Sequence, residues 1–306
     1  MTLFDFYKSF PNEESCEHYL KQEREKEGLV CTKCNQGKFY WLKSLKAWKC
    51  ANCGRWLNLT AGTLMEKSKV PLLTWFKVIH LMTSTKKAFS ALEMQKQVGQ
   101  KFYEPVWYMM QKIRISMGKR DARYRLQGDI EIDDAFFEVV DENRDKTKPM
   151  MQGRGSRRQA IVLVMVESKP NPKQDNPNKK KRIMGFAKMI VLDALTKKSI
   201  NYEVQNAISP TSIVISDKCS SYADLHELVK EHTAKVIPKK ETLEHLPWVH
   251  TVIANAKRQL LGVHHSIHRE FLQNYLNEFC YKLNRRTFSD DLFNRMIVAG
   301  AHDTWY

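Results

Sequence analysis

Four cysteines place the strongest constraint on this chain. Cys31-Thr-Lys-Cys34 and Cys50-Ala-Asn-Cys53 form two C-x2-C pairs separated by fifteen residues. Two tight knuckles at that spacing bring four thiolates around one zinc ion. The intervening segments 38–42 and 47–49 read as strands, and Gly37 and Gly54 stand where knuckle turns need backbone freedom. The result is a zinc ribbon, its Zn2+ structural because four cysteines leave no open position for water. Two disulfides or four free thiols are the alternatives. The chain has seven cysteines, an odd number that argues against a full disulfide framework and fits a reducing compartment. The basic and aromatic residues around the ribbon (Lys33, Lys38, Trp41, Lys43, Lys46, Trp48, Lys49, Arg55 and Trp56) admit two readings, DNA contact or core plus solvated face.

Charge indicates the partner. Lys and Arg outnumber Asp and Glu by 50 to 34 over 306 residues, a net of +16 carried by no single tail. Such an excess attracts polyanions, most often nucleic acid. No apolar run reaches the roughly 18 residues of a membrane span, and the start lacks a basic region followed by an apolar core, so the expectation is a soluble, unsecreted protein. Ahead of the ribbon, Phe4, Phe6, Tyr7 and Phe10 read as anchors and 15–26 as a short helix, together a cap. After it the period becomes helical. Pro71 suits a helix start, and Trp75, Val78, Ile79 and Met82 recur at helical spacing. Ser90 and Glu93 make a capping-box pattern before a second helix. Gly99 breaks the chain, and a third helix buries Val106, Met109, Met110 and Ile113. Its Lys112, Arg114, Lys119 and Arg120 suggest a helix-turn-helix that touches DNA, although a small helical bundle has the same pattern.

Next comes an acidic strand over 128–140. Asp129, Glu131, Asp133 and Asp134 crowd into six positions, and the strand period of two sets Glu131 and Asp133 on one face. Clustered carboxylates repel unless a positive partner such as a divalent metal sits among them; the alternative is a solvated edge strand. Residues 143–182 then carry twelve Lys or Arg against three acids. Within them, the unbroken apolar run 159–167 implies a strand buried on both faces. The basic run 179–182 reads as a phosphate clamp or as a solvated face. A hairpin partner follows over 184–192. A fourth strand, 212–217, ends at Asp217, where an acid at a strand tip reads equally as a ligand position or a helix N-cap. An amphipathic helix over 223–231 and a short fifth strand over 234–238 come next. The last long element spans 249–286, with Val252, Ala256, Gln259 and Leu260 on one face, Asn255 beside them, and Gly262 as a stop. His264, His265 and His268 close no metal pattern and read as solvent or phosphate contacts.

Three strands, a helix, an acid-tipped fourth strand, a fifth strand and a closing helix is the order of a ribonuclease-H-like domain. The expected fold class is therefore mixed α+β or α/β: zinc ribbon and helix-turn-helix, then a ribonuclease-H-like catalytic domain with a five-stranded mixed sheet and flanking helices. The expected divisions are 1–65 (cap and ribbon), 66–124 (helical, DNA-binding) and 125–300 (catalytic, with a basic insertion around 143–182). The ribbon cysteines, the 90–117 helices, Glu131-Ile-Asp-Asp134, Ser216-Asp217 with Ser221-Tyr222, the run 249–258 and the run 275–286 appear in one order. In that order the chain resembles, over about residues 20–300, a family of prokaryotic insertion-sequence transposases, the ISXO-type group related to the eukaryotic Merlin elements.

The resemblance implies a DDE-type DNA transposase. It sets Asp133 as the first acid, Asp217 as the second, and Asn255 where many relatives carry glutamate, all three holding Mg2+ or Mn2+. Lys257 is the accompanying basic residue, and Asp134 stands where glutamate is usual. Asn255 would offer a neutral oxygen in place of a third charge, weakening the hold on a second ion. The candidate DNA contacts are Lys101, Tyr103, Lys112 and Arg114 in the helical region, and His250 and Arg258 later; a structural hydrogen bond is the other reading of His250. The implied reaction binds the terminal inverted repeats of an element, hydrolyses its ends to expose a 3′ hydroxyl, and joins that hydroxyl to target DNA. A homodimer or higher homo-oligomer on double-stranded DNA would bring two ends together, in a prokaryotic cytoplasm, at the nucleoid. The rivals are a metal-dependent nuclease that does not join strands and a catalytically decayed DNA-binding regulator.

Overall fold

A computed structural model of the chain describes residues 1–141, 156–172, 181–235, 245–288 and 291–304. Most of the basic insertion expected around 143–182 lies outside the described residues, as does 236–238 of the expected fifth strand. Two compact units result, Met1–Arg120 with Arg285–Tyr306, and Asp121–Asn284. The tail from Arg285 thus belongs with the amino-terminal unit and not with the catalytic domain that the sequence reading extended to 300. Phe293 accounts for this, because its ring packs against Phe6, Phe10 and Phe76.

In the first unit, α1 (Leu3–Ser9) and α2 (Glu13–Glu27) precede a three-stranded antiparallel ribbon, β1 (Phe39–Leu42), β2 (Ala47–Cys50) and β3 (Trp56–Asn58). Of the four expected anchors, Phe6 and Phe10 are buried, whereas Phe4 and Tyr7 are exposed. Trp48 is also core: its indole N–H donates to Glu25 at 2.8 Å and its ring lies 5.1 Å under the Arg24 guanidinium, so it has no face for DNA. The knuckle turns use left-handed backbone at Asn35 and Gly54; Gly37 is not the turn residue. Three helices follow, α3 (Leu72–Ser84), α4 (Ala91–Val98) and α5 (Tyr103–Ala122). Glu13 caps α3 from outside, its carboxylate accepting from Leu72 N at 2.7 Å and Leu73 N at 2.8 Å. Ser90 caps α4 by accepting from Glu93 N, and Gly99 ends it in the left-handed region. The final helix of this unit, Leu292–His302, packs on α3 and α2.

The second unit is built on β4 (Asp129–Glu138), β5 (Gln159–Pro170), β6 (Arg182–Leu192), β7 (Ile213–Asp217) and β8 (Glu231–Lys235). Their order is β6-β5-β4-β7-β8, with β4, β5 and β6 antiparallel and β7 and β8 parallel to β4. This is the ribonuclease-H-like sheet. Alternation along β4 divides the core in two. Ile130 and Ile132 face α6 (Lys197–Ala207), whereas Ala135, Phe137 and Val139 face α7 (Pro247–Val263) and α8 (Arg269–Asn284). β5 supplies Val162, Val164 and Val166 to one side and Leu163 and Met165 to the other, as its unbroken apolar run requires. Three local expectations shift. The segment after Asp217 is a 3-10 helix over Ser220–Glu227, β8 lies earlier than expected because a polar edge strand carries little apolar pattern, and α7 runs through Gly262 to Val263.

The β5–β6 register shifts between Val166 and Ser168, where Gly185 lies against the buried Glu167 carboxylate. A Cβ on Gly185 would lie 2.7 Å from the Glu167 Cβ. Gly185→Ala is therefore expected to destabilise this unit by about 1–3 kcal/mol, read from the midpoint of urea denaturation.

Candidate active site

Ile132 on β4 pairs with Ser216 on β7, so Asp133 and Asp217 occupy adjacent positions on neighbouring parallel strands, about 4.8 Å apart in the pairing direction. β7 stops at Asp217 while β4 continues, which opens the space beside both carboxylates. Asp217 closes β7 as a strand-tip acid, and its Oδ1 accepts from Cys219 N at 3.2 Å in the turn that follows; it is not the expected helix N-cap, a position that Cys219 takes. Asp133 Oδ1 accepts from Asp134 N at 2.9 Å. Burial, reinforced by the Asp134 and Asp217 charges, pushes the Asp133 carboxyl up to about 7. Tyr222, wholly buried, donates its hydroxyl to Asp134 Oδ1 at 3.2 Å. Burial among these acids raises that phenol far above its usual range.

Glu131 and Asp133 do share a face, but their tasks differ. Glu131 is 2% exposed, and its Oε2 accepts from Trp248 N at 2.8 Å and Val249 N at 2.9 Å. Those two donors belong to the first turn of α7, where no intrahelical acceptor exists and the helix dipole favours an anion. Burial nonetheless raises the Glu131 pKa, opposed by the hydrogen bonds from Val249 and Trp248. The anchor sets the rotation of α7 on the sheet. His250, the next residue, brings Nδ1 to 3.6 Å from Asp133 Oδ2. Burial lowers the His250 pKa, so the ring is neutral at pH 7. Its Nε2 is buried with no hydrogen-bond partner among the described residues.

The other expected site residues fall elsewhere. Asn255 follows His250 by five residues, which turns it about 140° around the helix. It is exposed and makes no hydrogen bond or ion pair among the described residues, so the side chain brought to Asp133 is His250 and not the expected Asn255. Lys257 shares the His250 flank one stage further along, its Nζ 5.6 Å from the centre of the Phe137 ring and not at the aspartates. Arg258 is exposed. In the first unit Lys101 and Tyr103 are exposed and Lys112 is half-buried. Arg114, expected to face DNA, is 1% exposed, because it continues the buried stripe of Val106, Met110 and Met117. The sequence reading missed the capping role of Glu131 and the hydroxyl of Tyr222. Only the shared face of Glu131 and Asp133 hinted at the first.

The ribbon cysteines form a separate centre. The sulfurs of Cys31, Cys34, Cys50 and Cys53 all lie within 4.8 Å of one another, a set that fits structural zinc. Backbone N–H groups, first that of Lys33, pull the Cys31 thiol down to about 6, and that of Gln36 lowers Cys34. Among the described residues no other group of three His, Cys, Asp or Glu closes so tightly. Asp133 and Asp217 are thus two carboxylates side by side, with no third His, Cys, Asp or Glu closing a tight cluster around them among the described residues.

Residues 125–284 match the family model of the ISXO2-like transposase domain, and residues 11–55 match that of the transposase zinc-ribbon domain. A curated relative from Halobacterium salinarum, an uncharacterized protein in transposable element ISH50, is 25% identical over 169 residues. That stretch is 52% of this chain and 55% of the relative, so the chain spans about half the length of the curated relative it matches. Solved structures of a pre-cleavage Mos1 transpososome and a Mos1 strand transfer complex are similar over 74% and 75% of this chain and 78% of each of theirs. Identities are 9% and 11%, and TM-scores 0.30 and 0.29.

Removing the Glu131 carboxylate leaves two buried N–H groups unpaired, so Glu131→Ala is expected to cost about 2–4 kcal/mol in urea denaturation, with Glu131→Gln costing less. Asp133 gives a pH test. Its folded pKa of about 7 exceeds the ordinary 3.8, so the folded unit holds the proton more tightly and loses stability as pH rises from 4 through 7. Without added divalent metal, Asp133→Asn should be more stable than the wild type at pH 8, by about 4 kcal/mol at most, and the advantage should vanish near pH 4.

Proposed function

The chain belongs to the ISXO2-like transposase family, and on that premise we propose that it acts on the ends of the DNA element that encodes it, cleaving them and joining the exposed 3′ hydroxyl to target DNA. The observation that carries this reading is the adjacency of Asp133 and Asp217, with the His250 imidazole 3.6 Å from Asp133.

The donor set suits Mg2+ or Mn2+. Both are hard ions, and Mg2+ in particular keeps several waters and needs few protein carboxylates. The raised pKa of Asp133 reflects burial among like charges, a penalty that a divalent cation relieves. Asp133 and Asp217 would hold the ions, which, when bound, activate the attacking hydroxyl and neutralise the leaving oxygen. His250, neutral and with its Nδ1 3.6 Å from Asp133 Oδ2, is positioned to accept the proton of the attacking water or hydroxyl at that nitrogen. In the first step water attacks phosphorus, the bond to the 3′ oxygen breaks, and that oxygen leaves as the 3′ hydroxyl. In the second step this hydroxyl attacks a target phosphodiester, and the target 3′ oxygen leaves. Glu131 holds α7 so that His250 stays beside Asp133 throughout.

The remaining parts follow the same reading. Lys101, Tyr103 and Lys112, with the ribbon, contact the terminal repeats, and the net charge of +16 supplies the attraction. Two ends require at least two copies, most simply a C2 homodimer on DNA. No helix among the described residues is long and apolar enough to cross a membrane, and the site of action is the prokaryotic nucleoid.

Cleavage and joining of linear DNA carrying the element ends tests the proposal. Asp133→Ala is expected to abolish Mg2+-dependent cleavage while duplex affinity stays within about twofold. His250→Ala should lower the cleavage rate by about 10²–10⁴-fold, whereas Asn255→Ala should cost less than about tenfold. Cleavage without joining of pre-cut ends would mark a nuclease. Full activity in Asp133→Ala would remove the catalytic reading altogether.

A further inference from the structure

A cavity of about 480 Å³ opens between the end of β4 and the carboxyl-terminal half of α7. Arg158, Lys257, His264 and His265 line it together with the carboxylates of Glu138 and Asp141, and its floor is apolar, from β4 and α7. β4 and α7 run side by side in one direction: Glu131 meets Val249, Asp133 meets His250, and Phe137 meets Lys257. The cavity therefore lies further along the same strand and helix that carry Asp133 and His250. Seven residues of helix separate His250 from Lys257, about 10 Å at 1.5 Å per residue. DNA advances about 3.4 Å per nucleotide along its axis, so the cavity stands about three nucleotides from the scissile phosphate.

Cations alone would suit a phosphate. The concavity and the apolar floor add a place for a sugar and a base, and a duplex backbone, being convex and polar, fills neither. We propose that this cavity is a nucleotide subsite, which holds one unpaired nucleotide of the DNA strand that passes Asp133, its phosphate against Arg158 and Lys257. The proposal rests on the DNA-processing reading of the Asp133 site and requires the element end to be open at that position.

The experiment measures binding of the full zinc-loaded chain to two fluorescent DNAs across a range of salt. One is a fully paired duplex carrying the element end, and the other is the same duplex with a four-nucleotide single-stranded flank. The wild type is expected to bind the flanked DNA more tightly. Arg158→Ala combined with Lys257→Ala should lower affinity for the flanked DNA by about tenfold or more, and lower the salt slope by roughly 0.7, the contribution of one phosphate contact to a single strand. Affinity for the paired duplex should change less than about threefold. Ser266→Trp, which fills the exposed mouth of the cavity without removing charge, should produce the same selective loss of affinity. Equal losses on both DNAs, or no effect of Ser266→Trp, would overturn the subsite. A wild type that binds both DNAs equally would also overturn it and leave the transposase reading standing, whereas a wild type that binds neither would remove both.

Discussion

The site depends on one carboxylate that performs no chemistry. Glu131 reaches from the sheet to the first turn of α7 and accepts two of the backbone N–H groups that a helix start leaves unpaired. An apolar stripe can hold a helix against a sheet, but it tolerates rotation about the helix axis. Two hydrogen bonds to consecutive N–H groups, formed in a buried space, do not. Because Glu131 and Asp133 share a face of β4, the residue that follows the capped turn, His250, arrives beside Asp133. Strand and helix are registered by that contact, and the open space next to Asp217 becomes a site.

The amino-terminal unit uses the same device. Glu13 caps α3 with both carboxylate oxygens, and Arg24 ties α2 to the ribbon through the Asn58 and Leu59 carbonyls and the face of Trp48. The ribbon thus presents a half-shielded surface. Trp48, buried within it, is part of the structure, whereas Trp56, half exposed, is available to a partner. In each unit, then, a carboxylate from a neighbouring element caps the start of a helix.

Much of this was legible in the sequence where the governing chemistry is local. Thiolate spacing predicts the ribbon, alternation predicts β4, and the unbroken apolar run predicts a strand covered on both sides, as Val162 and Leu163 confirm. The buried stripe of α7 was equally readable from Val252 and Ala256. A stripe, however, leaves two flanks of equal standing, and choosing between His250 and Asn255 required a contact about 117 positions away in sequence. Arg114 misled for a related reason: a charge on a helix reads as solvent-facing, although its spacing from Met110 puts it on the buried side. The carboxyl-terminal helix changed units because its stripe matches either core, and the aromatic cluster around Phe293 decides.

On the proposed reading, Asp133 and Asp217 on the sheet hold divalent metal beside His250 of the anchored helix. Iron-mediated oxidative cleavage reads this directly: Fe2+ replaces Mg2+ in the zinc-loaded protein, peroxide and ascorbate generate short-lived radicals at the bound ion, and mass spectrometry maps the breaks. Cuts are expected beside Asp133, Asp217 and His250, absent in Asp133→Ala and suppressed by excess Mg2+. Cuts centred on Asn255 with none at His250, or a pattern unchanged in Asp133→Ala, would contradict that reading.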